Sequence, residues 1–182
     1  MTCQLPLFRL RALIVTLWSA AFFLVPLHFV TAAPRTPTSE FTSTDMKKAK
    51  VLESGESGGT FLCPGLGGYR VLLQVGDDRS YVELLHGNTE IHLALDIFQQ
   101  CPGVRPWKAN NVVQWRGYRS GNQFHPYAII FRMYSESRNL KKPFDTLVVV
   151  KLEGSRSRVV GSVPGSAGNV AAENLADRLC QP

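Results

Sequence analysis

Residues 61–85, FLCPGLGGYRVLLQVGDDRSYVELL, hold two runs of β-forming residues on either side of an acidic turn, and this arrangement commits the chain to a sheet. Tyr69, Val71, Leu73 and Val75 share one parity, while Arg70 and Gln74 share the other. That is the period-two pattern of a strand with one buried face, broken only by Leu72. Gly76-Asp77-Asp78-Arg79 has turn chemistry, and residues 80–85 return with Tyr81, Val82, Leu84 and Leu85, so the pair reads as a β-hairpin from which the sheet grows. Just upstream, residues 64–68 (PGLGG) must bend sharply, because proline fixes φ and glycine enters conformations closed to other residues.

Four more segments read as strands: residues 112–116 (VVQWR), 126–134 (PYAIIFRMY), 146–152 (TLVVVKL) and 156–163 (RSRVVGSV). In 126–134, Ala128, Ile130 and Arg132 oppose Tyr127, Ile129, Phe131 and Met133. The mostly apolar character of this run and of 146–152 places both in the interior of a sheet. Residues 91–97 alternate as a strand does, yet Ile91, Leu95 and Phe98 also fit a helical face, and both readings stay open. Residues 45–52 fit a helical turn or an edge strand, whereas 53–59 (ESGESGG) and 101–111 read as loop. Residues 169–179 fit a closing helix, capped by Gly168 or Asn169, with Val170, Leu175 and Leu179 as its apolar stripe. The expected fold is α+β, a predominantly antiparallel sheet of about six strands with the C-terminal helix packed on one face. No βαβ alternation is present, which disfavours a nucleotide-binding parallel sheet.

The start of the chain has an export pattern. Arg9 and Arg11 precede an apolar run over 12–30, followed by the small residues Thr31, Ala32 and Ala33. Val30 and Ala32 suit the −3 and −1 positions, and Pro34 disfavours cutting one residue later, so residues 1–32 are expected to leave as a signal peptide. The alternative is a retained membrane anchor, since the run approaches the roughly 20 residues of a bilayer span; Pro26 and His28 interrupt it. Residues 33–44, rich in Pro, Ser and Thr, read as a flexible tether, and 45–182 as a single globular domain. Removing Arg9 and Arg11 takes the formal net charge from +6 to +4, and the remaining cations are interspersed with strand residues. A nucleic-acid partner is therefore not expected.

Catalytic signals are weak. Gly55-Glu56-Ser57-Gly58-Gly59 satisfies G-x-S-x-G, but a nucleophile elbow needs a strand leading into a helix, and here a loop leads into a strand. His86, His92 and His125 form no close metal-ligand pair, and Asp77 and Asp78, adjacent on a turn, diverge too much to serve as a glycosidase pair. No cofactor and no metal are expected. The most suggestive binding segment is residues 116–127 (RGYRSGNQFHPY), which mixes Arg116 and Arg119 with Tyr118, Phe124, His125 and Tyr127. Arg and aromatic side chains are common interface anchors, although Phe124 and Tyr127 also suit the end of a core.

Taken together, Cys63-Pro64-Gly65, Gly68-Tyr69 with Val71, Gly76-Asp77-Asp78-Arg79, Trp115-Arg116, Pro126 with Ala128, Ile130 and Arg132, residues 147–150, and the Ala/Asn-containing final helix resemble an uncharacterised family of small exported alphaproteobacterial proteins. The resemblance implies export and one compact domain, with no activity attached. The family pattern has cysteines near positions 49 and 159, where this chain has Ala49 and Val159. With Cys3 in the leader, Cys63, Cys101 and Cys180 remain, and export favours pairing of two of them. Cys63–Cys180 is the expected disulfide, because loss of the cysteines near 49 and 159 removes one whole bridge; Cys101–Cys180 is its main competitor.

The function expected is a periplasmic or secreted non-enzymatic domain that binds an envelope protein or other ligand. The alternatives are an extracytoplasmic hydrolase whose site converges only in three dimensions, and a form held to the membrane through an uncleaved N-terminal segment.

Overall fold

The computed structural model describes residues 35–101, 106–135 and 144–182. The expected leader, residues 1–32, lies outside the described residues. Among the described residues ten strands form two five-stranded antiparallel sheets, and the C-terminal helix covers one of them. The expectation of a β-rich antiparallel fold closed by a helix holds, while the count of about six strands falls short.

The first sheet is a meander. It runs β2 (Lys50–Gly55), β3 (Gly58–Cys63), β4 (Tyr69–Gly76), β5 (Arg79–His86) and β6 (Thr89–Ile91) in order. The β4–β5 turn is the two-residue loop read from sequence: Asp77 and Asp78 have φ of 48° and 61°, with Gly76 paired to Arg79. Aspartate tolerates this left-handed region better than most residues, and the turn hand matches strand twist. The second sheet has the order β1-β7-β8-β9-β10, with β1 (Thr38–Ser43), β7 (Pro106–Ser120), β8 (Gln123–Ser135), β9 (Phe144–Lys151) and β10 (Arg158–Pro164).

The inner faces of the two sheets bury one core. Val71, Leu73, Val82 and Leu84 meet Val113, Trp115, Ile129, Phe131, Met133, Val148 and Val150. The outer face of the second sheet packs Tyr127, Ala128, Ile130, Leu147 and Val149 against α2 (Gly168–Cys180). Strands β8 and β9 are therefore buried on both faces, which is why their sequences run apolar without polar alternation. We call this the covered sheet and the meander the open sheet.

Several expectations are corrected. Residues 53–59 and much of 101–111 belong to strands: β2 and β3 meet in a tight hairpin with only Glu56 and Ser57 between them, and β7 begins at Pro106. The 91–97 ambiguity resolves into both elements, a strand to Ile91 and then α1 (Ala94–Gln100). Residues 45–52 likewise hold a single 3-10 turn, Met46–Lys48, followed by edge strand β2.

The tether is a structural strand. Thr38–Ser43 pairs antiparallel with β7 and supplies partners to buried groups: Trp115 Nε1 donates to Thr42 Oγ1 at 2.8 Å, and Gln114 Nε2 to Ser39 Oγ at 2.9 Å. Serine and threonine gave the segment a linker-like composition, yet those hydroxyls satisfy donors that burial would otherwise leave unpaired.

The helix stripe is also different. Ala172, Ala176 and Cys180 face the sheet with Leu175 packed beside them as expected, whereas Val170 and Leu179 are exposed. Small residues at i, i+4 and i+8 let the helix lie close on the sheet, and that spacing defines the face as well as the larger residues would. The cap residue is Ala167, with no side-chain cap bond.

No disulfide forms. Cys63, Cys101 and Cys180 are free and buried. Cys63 and Cys101 belong to the core between the sheets and Cys180 to the layer beneath α2, so the covered sheet separates the expected Cys63–Cys180 partners.

Candidate functional site

The arginine- and aromatic-rich segment 116–127 is a β-ribbon, with β7 and β8 joined across Gly121 and Asn122. Its six candidate residues form no single surface. Tyr118 pairs with His125 and Arg119 with Phe124 across the ribbon, so period two sends the two pairs to opposite faces. Tyr118 and His125 stack with centroids 5.4 Å apart, and the Arg35 guanidinium lies 4.4 Å over the Tyr118 ring. On the other face Phe124 packs against the inter-sheet core, and Arg119 pairs with Glu40 at 2.5 Å.

Arg116 and Tyr127 lie beneath α2. Arg116 forms a two-pronged pair with Asp177, Nε to Oδ1 at 2.8 Å and Nη2 to Oδ2 at 2.6 Å, and also reaches Ser39 Oγ at 3.2 Å. Tyr127 donates its hydroxyl to Asp177 Oδ1 at 2.5 Å. A bulge makes this possible: Arg116 pairs with Ala128 and Gly117 with Pro126, leaving Tyr127 as the extra residue. The bulge turns Tyr127 to the Ala128 face, against the parity read from sequence. Burial raises the Asp177 carboxyl, but hydrogen bonds from Arg116 and Tyr127 and the Arg116 charge outweigh it and hold the group below its ordinary range. Burial and the bond to Asp177 push the Tyr127 phenol up, and Asp177 raises Arg116 likewise. This is a latch fastening the helix to the sheet.

The histidines are dispersed. His86 lies 4.6 Å from the Tyr69 ring, centroid to centroid, and His92 is exposed beside Glu90 at 3.7 Å. Among the described residues no three His, Cys, Asp or Glu side chains are placed to share an ion. Ser57 lies in the strand–turn–strand of the β2–β3 hairpin, with no helix following, so G-x-S-x-G does not form a nucleophile elbow here.

A broad concavity lies on the open sheet. Cross-strand pairing sets Glu53 beside Thr60, Thr60 beside Gln74, and Gln74 beside Tyr81, a polar row across β2 to β5. Gln74 and Tyr81 have the parity opposite to the core residues Leu73 and Val82, so the row faces outward. The row lines a trough of about 930 Å³ with Ser54, Ser57, Asp77 and Arg79 at its polar end. A second hollow of about 420 Å³ shares Glu53, Thr60 and Gln74 and adds Leu52, Leu72, Leu85 and Glu90. Gln74 donates to Glu90 Oε1 at 3.0 Å, tying the row to the far strand of the sheet.

Glycines shape the wall. A Cβ on Gly59 would overlap the Glu53 carbonyl oxygen of β2, and one on Gly58 would overlap the Val75 carbonyl oxygen of β4, so glycine lets β3 lie this close to each neighbour. At Gly55, on the trough wall, a Cβ would meet nothing within 4 Å.

Sequence reading missed this site because it assigned 53–59 to a loop and treated Gln74 as merely solvent-facing. The signal available was the Gly-rich spacing of 55–59, which fits a tight hairpin as well as a loop. The chain matches no family model, and comparison with curated proteins and with solved structures finds no significant match.

Proposed function

We propose that the chain is an exported, non-enzymatic binding domain whose ligand lies along the outer face of the open sheet. One observation carries the reading: a continuous concave row of hydrogen-bonding side chains, Glu53, Thr60, Gln74 and Tyr81, is built on a sheet whose other face anchors the core. Such a row is held rigidly by strand pairing, as recognition surfaces require. The open, shallow form of the trough favours binding over hydrolysis, and neither imidazole that a hydrolase reading would use lies in it: His92 is exposed beside Glu90, and His125 stacks on Tyr118. The leader-like N-terminus supports export to the periplasm or the medium.

The test is retention of the purified mature protein on isolated envelope material, with Gly55→Phe blocking the trough. A Cβ at Gly55 meets nothing within 4 Å, which leaves room for a side chain to start there, and an unchanged melting temperature of Gly55→Phe is the control. Retention lost in Gly55→Phe and kept in Arg119→Ala supports the site; the reverse pattern returns the site to the ribbon. N-terminal sequencing of exported protein is expected to start at Ala33.

A further inference from the structure

Resting on that reading, we infer that the trough takes a neutral oligosaccharide chain. The charged lining of the trough is Glu53 and Asp77 against Arg79 alone, and the adjoining hollow adds Glu90, so the local field repels phosphate, uronate and nucleic-acid backbones even though the whole chain is basic. The remaining polar lining, Ser54, Ser57, Thr60, Gln74 and Tyr81, offers both donors and acceptors. A neutral sugar matches this mixture, because each of its hydroxyls donates one hydrogen bond and accepts others. Sugars also present C–H faces, and the surface supplies apolar area for them in the Tyr81 ring of the trough and in Leu52 and Leu85 of the adjoining hollow.

The dimensions call for a chain of several units. Four neighbouring strands span roughly 14 Å at the usual inter-strand spacing. The second hollow extends the surface further, and Glu53, Thr60 and Gln74 are shared by both hollows.

An extended peptide is the competing occupant, and the fold disfavours it. Peptides dock on sheets chiefly by adding a strand to a free edge. The edge beside the trough is β2, whose register is broken between Val51 and Glu53 and which carries Lys50 and Glu53. Bulges and charges of this kind spoil an edge as a pairing template.

The experiment is amide chemical-shift titration of the mature protein with four probes: cellohexaose, chitohexaose, an oligogalacturonate of similar length, and a Ser/Thr-rich decapeptide. The expected result is saturable shifts at Thr60, Gln74 and Tyr81 with at least one neutral glycan and none with the oligogalacturonate. Gln74→Ala and Tyr81→Ala are each expected to weaken that binding about tenfold, in line with losing a hydrogen bond or an aromatic contact, with melting temperature unchanged. Shifts at these residues with the peptide or the oligogalacturonate and not with neutral glycans would overturn the sugar assignment while leaving the binding site standing. Glycan-induced shifts confined to Tyr118 and His125 would overturn both.

Discussion

Asp177, half-buried, and Glu83, buried, are carboxylates under opposite electrostatic conditions, and their pH behaviour separates them. Asp177 holds Arg116, whose side chain is 13% exposed, together with Tyr127, and its carboxyl is held below the ordinary range. A depressed folded pKa means the stabilisation is present above the unfolded value of about 3.9 and lost as pH falls through the folded value. Asp177→Asn removes the two-pronged pair and leaves Arg116 with Ser39 and the more distant Glu173, and it is expected to cost about 2 kcal/mol at neutral pH. In thermal melts that deficit should shrink in strong acid; a constant deficit would mean packing, not charge, is responsible. Glu83, 2% exposed, instead accepts the backbone N–H groups of Leu93 and Ala94 at the start of α1, the latter at 3.4 Å. Burial pushes its carboxyl up, with the two N–H donors opposing. A raised folded pKa gives stability that is full below the unfolded value of about 4.3 and is lost as pH rises through the folded one. Glu83→Gln is therefore expected to melt higher than the parent at pH 7.5 and to match it near pH 4. A lower melting point at pH 7.5 would show that the charged hydrogen bonds outweigh desolvation.

At the scale of elements, β1 is the strand most easily mistaken for dispensable chain. Deleting residues 35–44 strips the Trp115 indole N–H of Thr42 and both Gln114 and Arg116 of Ser39, and it frees the edge of β7. Gln114 keeps Glu173 and Arg116 keeps Asp177, so the Trp115 indole is the donor left unpaired, at about 1–3 kcal/mol. The truncated protein is expected to melt well below the parent and to aggregate through the opened edge; a variant starting at Asp45 that melts like the parent would refute this account. The approach of α2 depends on Ala172 and Ala176, both fully buried. Ala176→Leu is expected to destabilise by about 1–3 kcal/mol through overpacking, checked by denaturant titration, whereas Val170→Ala on the exposed side should be nearly neutral.

At the largest scale the described residues are layered as open sheet, covered sheet and helix, and this layering governs Cys63, Cys101 and Cys180. Burial pushes the Cys63 and Cys101 thiols up, and Cys180 up to about 11, so thiolate is scarce at neutral pH. The thiolate is the reactive form, and the covered sheet stands between Cys180 and the other two. Non-reducing peptide mapping of the mature protein is expected to find three unlinked cysteine peptides, with thiol reagents reacting only after denaturation; a cross-linked peptide would contradict the layering. What the sequence determined unaided is local. The β4–β5 hairpin follows from Tyr69, Val71 and Leu73 alternating up to the Asp77-Asp78 turn, and the interior strands follow from residues 126–134 and 147–150, because side-chain period and turn chemistry act within a few residues. What only the tertiary structure decided depends on partners distant in the chain. Ser39 and Thr42 became structural because Gln114, Arg116 and Trp115 lie opposite them, Tyr127 changed face through a bulge set by its pairing with β7, and Gln74 entered a trough because β2, β3 and β5 aligned Glu53, Thr60 and Tyr81 beside it. Hydrogen-bond demand and register are settled between strands, and a pattern read along one strand carries no record of its neighbour.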